Sequence, residues 1–386
     1  MSESQTILIL GGGIGGLVTA VELRKKLPQQ HRIILVDRER KHLFAPSLLW
    51  LMTGLRTADK ISRPLAHLRR KGIELIHGEI ERIDPQRRQV TVAGKVLTAD
   101  YLVVSLGAEL NPEAIPGLAE AGHSFYTLGG AEGLRDALKK LHAGRIVVLT
   151  ATPAYKCPAA PYEAAMLLEY DCRKRKVRKD VQVDLYAAEP GPMGVTGPEF
   201  SAGVRQMVEA KGIGFHPQHQ VTEVDPAARL IRFANGTEAS FDLLAYVPPH
   251  RVPKVVRESG LIGEGGSWVA VDRHTLETRM HKVYAIGDIT GIPLQLGKPL
   301  PKAGTFAHSQ ALVVAHNIAC AVTGQGEPMR FDGHGECFIE AGDGKAGLGR
   351  GNFYAEPTPQ VKAYKVGRHW HAGKVMFEKY WLHSWL

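Results

Sequence analysis

No stretch of the 386 residues reaches the roughly 18 consecutive apolar positions that a membrane-spanning helix needs. Cysteines are few, at 157, 172, 320 and 337. None lies two to four residues from another, so zinc-site spacing is missing and no metal is expected. Four scattered cysteines in a chain of this length do not make a disulfide framework either. The net charge of +9 leaves nucleic acid, an anionic membrane surface or an anionic substrate as partners. Basic runs interleaved with aromatics are absent, which argues against nucleic acid. The densest basic block, 173–179, follows an expected helix and reads as a solvated face. The start, Met1 to Thr6, lacks the basic and apolar regions of a secretory signal, so a cytoplasmic location is expected.

What is present begins with a nucleotide site. Thr6 to Leu10 reads as a buried strand. Gly11-Gly12-Gly13-Ile14-Gly15-Gly16 follows and opens a helix expected over 17–27. Gly11, Gly13 and Gly16 form G-x-G-x-x-G: the first permits the tight turn, the second lets a pyrophosphate approach, and the third lets helix and strand pack. The helix N-terminus then faces the phosphates. A second strand, Arg32 to Val36, ends at Asp37, where an acid binds a ribose hydroxyl. Strand, motif, helix, strand and acid in order are far more specific than the glycines alone.

A second strand-to-helix unit starts at Arg145 to Thr150, but its loop, 151–161, contains no glycine. Pro153, Pro158 and Pro161 lack the N–H groups that would bind a pyrophosphate, and Cys157 stands among them. The usual NAD(P)H site is therefore not intact, although Asp180 to Tyr186 still reads as its second strand.

Thr278 to Asp288 is a turn and a strand ending in Gly287-Asp288. It resembles the second FAD fingerprint of the glutathione-reductase-like flavoproteins with two dinucleotide-binding domains. Asp100 to Ala108, containing Gly107, resembles their middle motif. The resemblance implies an α/β fold with two Rossmann-like domains and a short C-terminal segment. The FAD-binding domain would be discontinuous, 1–109 and 251–325. The second domain, 110–250, would carry the degenerate NAD site, and 326–386 the C-terminal segment. The cofactor implied is FAD, held by Gly11, Gly13, Gly15, Gly16, Asp37, Arg38, Pro46, Ile80, Gly107, Gly287, Asp288 and Lys302, with Asp288 on the ribityl chain and Lys302 near the flavin ring.

The loop Thr152 to Glu163 resembles the redox-cysteine loop of the sulfide:quinone oxidoreductases and of the flavocytochrome c sulfide dehydrogenases. Gly333 to Glu340, with Cys337, resembles the segment of their second redox cysteine. His42 to Pro46 and Pro301 to Gly304 are also similar to that family. The resemblance implies catalysis by Cys157 and Cys337, with Glu163 as an acid/base or a helix cap. Hydrosulfide would open a Cys157–Cys337 disulfide, and electrons would pass through FAD to a membrane quinone. Phe338, Phe353 and Tyr354 are candidate quinone contacts. Cys172 and Cys320, in helical segments, read as core residues, and the histidines as loop or surface residues. His42 is a conceivable tether for FAD, with noncovalent binding preferred.

The chain departs from the family in three places. The segment 122–127 lacks the third cysteine of many bacterial members, which puts sulfur-chain growth in doubt. The segment 190–195 lacks a histidine found in some, and the C-terminal part is shorter. In that part Phe377, Tyr380, Trp381, Ser384 and Trp385 recur at helical spacing, with Lys374 and Lys379 beside them. Aromatics and basic residues on a short amphipathic helix are expected at a membrane interface; a helix closing the core is the alternative. A homo-oligomer is compatible with the sequence. Three other readings stand beside the first: a single-chain NADH:quinone oxidoreductase, a flavocytochrome-type sulfide dehydrogenase, and a flavin- and sulfur-binding protein without turnover.

Overall fold

The computed structural model describes residues 3–386. β1 (Thr6–Leu10), α1 (Ile14–Lys26), β2 (Arg32–Asp37), β3 (Glu74–His77) and β4 (Tyr101–Val104) open the chain. The middle holds β5 (His123–Ser124), β6 (Gly144–Thr150), α2 (Ala160–Lys174), β7 (Val181–Ala187), β8 (Gly214–His216) and β9 (Leu243–Val247). The chain closes with β10 (Val283–Ala285), α3 (Gly304–Thr323), β11 (His334–Gly342), β12 (Lys345–Asn352), β13 (Gln360–Gly367) and α4 (Arg368–Ser384).

Two five-stranded sheets have the orders β10-β4-β1-β2-β3 and β5-β9-β6-β7-β8, and every pairing in both is parallel. Strands such as β1 and β9 are apolar throughout because parallel sheets are covered on both faces. The orders match strand for strand: β6 corresponds to β1, β7 to β2, β8 to β3 and β9 to β4. In each unit an antiparallel meander, 80–98 or 221–240, separates the third strand from the fourth. Helix α1 begins one turn before its expected start, so its N-terminus lies within the glycine motif.

β11, β12 and β13 form an antiparallel meander. Ile339 and Ala341 of β11 join Leu48 to Met52, Ala160 and Met166 in one core. Helix α4 packs its Trp381 and Leu382, with Trp385 just past its end, into a second core shared with α1 and α3. This corrects the membrane reading for two residues of the aromatic stripe: Trp381 and Trp385 are 2% and 7% exposed and close the core, whereas Phe377 and Tyr380 of the same stripe are exposed. The periodicity of a core face and of a bilayer face is the same, so spacing alone did not separate them. Met376 joins Phe377 and Tyr380 as an exposed apolar side chain of α4.

The basic block is not simply a solvated face. Arg173 pairs with Glu169 and Asp343, Arg175 pairs with Asp171, and Arg178 donates to the carbonyls of Val181 and Gly212.

Candidate active site

The glycine loop after β1 makes the floor of a cavity of about 920 Å³. Gly11 has φ +95°, and a Cβ there would strike the Ser105 carbonyl. A Cβ on Gly13 would meet nothing within 4 Å, which leaves this side open to a ligand. The Asp37 carboxylate accepts N–H groups of Gly12 and Glu39 and still lines the cavity. Gly11, Gly13, Gly15, Asp37, Arg38, Pro46, Ile80, Gly107, Gly287, Asp288 and Lys302 all lie on the cavity wall. Gly16 does not. It packs against the Gly11 carbonyl, where a Cβ would not fit. An open glycine cradle, a helix N-terminus and an acid at the end of β2 fit the pyrophosphate and ribose of FAD.

Cys157 lines the same cavity from the other unit. Its backbone has φ +52°, rare for a residue with a side chain. Its N–H donates to the Lys302 carbonyl at 2.6 Å, and its own carbonyl accepts from Ala160 N–H and the Tyr126 hydroxyl. Lys156 and Lys302 form a parallel bridge that presses this loop onto the segment leading into α3. Cys337, on β11, packs against the same core as Cys157. Burial pushes the Cys157 thiol up to about 12, Glu163 adding to the effect and Lys374 opposing it. Burial, then the charge of Cys157, raises Cys337 well above its ordinary value. Both stay protonated at neutral pH unless a base takes the proton. Among the described residues all four cysteines carry free thiols. Cys172 is buried in α2, and Cys320 is half-buried on α3, 3.3 Å from His316.

Glu163 lies in the first turn of α2 but does not cap it. Its carboxylate accepts from the Glu340 N–H at 2.8 Å and from Lys374 Nζ at 2.7 Å. Burial raises the Glu163 carboxyl, and Lys374 works against the rise. Lys374 is buried too; Glu163 and Glu340 outweigh that burial and keep its charge. His371 Nδ1 donates to the Glu340 carboxylate at 3.0 Å. Lys374, expected as a basic residue at a membrane interface, is instead 5% exposed and part of this site, while Glu340 and His371 escaped sequence reasoning as site residues. One signal existed: His371, Lys374 and Glu378 fall on the same helical stripe as Trp381, and such polar residues do not belong on a lipid-facing stripe.

Lys302 precedes α3. Its ammonium donates to the carbonyls of Asp288 and Thr290 at 2.8 Å and lies 3.4 Å from the Trp268 ring centre. Burial pulls it down to about 8, against the pull of Asp288. His42 is neither a loop nor a surface residue and makes a poor tether: it is 2% exposed and both ring nitrogens are engaged, with Gly12 and Trp381. The three aromatic candidates for quinone contact do not line the cavity. Phe338 packs toward Gly373 of α4, Phe353 packs edge-on to Phe306, and Tyr354 bonds the Arg273 carbonyl.

Comparison with known proteins agrees with this geometry. Residues 5–311 match the family described as pyridine nucleotide-disulphide oxidoreductase. A sulfide-quinone reductase of Aquifex aeolicus is 30% identical over 393 residues, covering 97% of this chain and 90% of that protein. The solved structure of the sulfide:quinone oxidoreductase of Aquifex aeolicus superposes with a TM-score of 0.90 at 28% identity, over 99% of this chain and 91% of the other. A type II NADH:quinone oxidoreductase of Haemophilus influenzae is more distant, 23% identical over 357 residues, 81% of this chain and 80% of its own. The chain belongs to the pyridine nucleotide-disulphide oxidoreductase family and, within it, to the FAD-binding sulfide-quinone reductases.

Proposed function

We propose that the chain is an FAD-dependent sulfide:quinone oxidoreductase that turns hydrosulfide into sulfane sulfur. One observation carries the reading. Where β6 should lead into a phosphate loop, a glycine-free loop instead sets Cys157 on the wall of the cofactor cavity. Relatives named sulfide-quinone reductase or sulfide:quinone oxidoreductase, at 26% to 30% identity, support it. Residues 1–109 and 251–325 are assigned to the FAD-binding domain, 110–250 to the second domain and 326–386 to the C-terminal segment.

Cys157 and Cys337 are thiols in this structure; in the oxidised form that meets hydrosulfide they are joined as a disulfide. Hydrosulfide attacks one sulfur. The bond between the cysteines breaks, a new S–S bond forms, and the other cysteine leaves as a thiolate. The hydrosulfide proton stays on the persulfide until a base takes it. Glu163, buried beside both sulfurs and bonded to Lys374, is the group placed to hold that proton. When the Cys157–Cys337 bond re-forms and the outer sulfur leaves at the sulfane level, two electrons are set free; FAD, held by the glycine loop and Asp37, would supply the acceptor for that pair and its passage to a quinone. Lys302 holds positive charge at the cavity wall and favours negative charge there.

Among the described residues no helix is long and apolar enough to cross a membrane. The lipophilic acceptor is met at a membrane surface, through Met376, Phe377 and Tyr380 with Lys379 beside them.

Anaerobic absorbance of the FAD-loaded protein tests the reading. Sulfide bleaches the flavin, NADH does not, and a short-chain quinone restores the colour. Bleaching by NADH alone overturns it.

A further inference from the structure

Glu189 takes no part in the chemistry above, yet its carboxylate is 7% exposed and fully engaged. It follows β7 by two residues, much as Asp37 ends β2. Leu10 pairs with Val36 and Thr150 with Ala187, so the position matching Asp37 is Ala188, and Glu189 lies one residue beyond the place where the acid of a dinucleotide site receives ribose hydroxyls. Asp37 opens onto a cavity. The oxygens of Glu189 are instead taken from within: Thr150 Oγ1 donates to Oε2 at 2.7 Å, and the hydroxyls of Tyr155 and Tyr162 both donate to Oε1, at 2.5 and 2.7 Å. Burial, reinforced by the Glu189 charge, holds both phenols well above their ordinary range, so they remain donors. The three donors come from the end of β6, the cysteine loop and the first turn of α2.

Tyr155 and Tyr162 bracket Cys157, two residues before it and five after. Cys157 sits in the left-handed region at φ +52°. A residue with a side chain keeps that conformation only where its surroundings over-determine it. Lys302 and Tyr126 hold the tip of the loop. Both stems converge on Glu189.

We infer that Glu189 is a positioning residue of the sulfur site: an acid just past the end of β7, bonded by Tyr155, Tyr162 and Thr150, that fixes the Cys157 loop against Cys337. The inference rests on the reading of Cys157 and Cys337 as the redox pair. A fixed loop raises the effective concentration of one thiol at the other and so stabilises their disulfide. A loosened loop weakens it.

The FAD-loaded full chain is equilibrated in glutathione buffers of graded potential, and the Cys157–Cys337 disulfide is quantified by alkylation and peptide mass spectrometry. Wild type, Glu189→Gln and Tyr155→Phe are compared, with thermal unfolding followed in parallel. Glu189→Gln is expected to weaken the disulfide more than tenfold, which moves its potential by about 30 mV to less negative values. Tyr155→Phe, which loses one hydroxyl and keeps its ring, is expected to weaken it more than threefold. It decides the matter alone if Glu189→Gln does not fold. Disulfide equilibria within threefold of wild type in both variants, whatever the unfolding temperature does, overturn the inference and leave Glu189 a purely structural residue. A wild-type protein that forms no Cys157–Cys337 disulfide in any buffer overturns the redox-pair reading and the inference with it, so the two failures are told apart.

Discussion

The indole N–H of Trp381 donates to His42 Nε2 at 2.9 Å, across 339 positions of sequence. An indole nitrogen only donates, so Nε2 carries no proton. The ring's Nδ1, 2.9 Å from the Gly12 carbonyl, is then the donor of that second bond. The imidazole is neutral, as its burial requires. The last helix is thus bolted to the glycine loop that cradles the cofactor. Trp381→Phe keeps most of the ring bulk but leaves Nε2 buried without a partner, which costs about 1–3 kcal/mol. Trp381→Ala adds a cavity and costs about 3–5 kcal/mol. Denaturant unfolding reads the loss. Release of FAD on dilution, followed by flavin fluorescence, is expected to quicken in both variants.

Cys157→Ser and Cys337→Ser are each expected to abolish bleaching by sulfide while FAD stays bound. Cys157 offers a second, independent reading because its φ is +52°. Cys157→Gly relieves the strain that Cys157→Ser retains, and should unfold at higher denaturant by up to about 1 kcal/mol. Both variants are inactive. If glycine is the less stable of the two, the strained backbone at this position is wrong.

Lys374 and Glu163 form a buried pair, 5% and 2% exposed. Lys374→Met strands a carboxylate in the core, and removing one partner of such a pair costs about 3–5 kcal/mol. Glu163→Gln combined with Lys374→Met is expected to recover most of that loss, since neither charge is then left alone. A double-mutant cycle in urea measures the coupling. Activity remains low in the double variant, because the proton acceptor beside the sulfurs is gone.

His250 gives the pH dependence a sign. Burial, then Lys156, pulls it down to about 4. Between its ordinary 6.5 and that value the unfolded chain binds a proton that the folded chain refuses. Stability from this group is therefore complete above pH 6.5 and falls as the pH drops toward 4, by about 3 kcal/mol at most. His42 and His308, also lowered by burial, act in the same direction. Unfolding curves from pH 7 to pH 4 are expected to show this loss, and His250→Asn to flatten it.

The first nucleotide unit is legible in sequence because glycine spacing encodes backbone geometry: Gly11 turns and Gly16 packs within a few positions of each other. The cysteine loop is legible for the opposite reason, since prolines replace what a phosphate requires. Glu163 is visible as a residue but not as a partner of Lys374, because that pair joins positions 211 apart. Glu189 has no local signature either; its meaning comes from Tyr155 and Tyr162 turning toward it in space. The stripe of α4 misled at Trp381 and Trp385 because they needed a core to enter, and α1 with α3 provides one.

That failure sharpens the membrane prediction rather than removing it. Met376, Phe377 and Tyr380 are 70%, 42% and 59% exposed, one helical turn of apolar surface on the outer side of α4. Leu55, 39% exposed, precedes Arg56, which binds Glu378 of the same helix. Scattered exposed apolar residues need no explanation, but three on one turn do. Phe377 also packs edge-on against the buried Phe44 and beside Trp381, so it is kept; replacing Met376 and Tyr380 together by serine leaves the core face of the helix untouched, and folding and bleaching by sulfide are expected to persist. Sedimentation with anionic vesicles should fall at least tenfold. Turnover with a short-chain quinone should stay within twofold of wild type, while turnover with a long-chain quinone embedded in vesicles drops with binding. Unchanged sedimentation would move the membrane contact away from this turn.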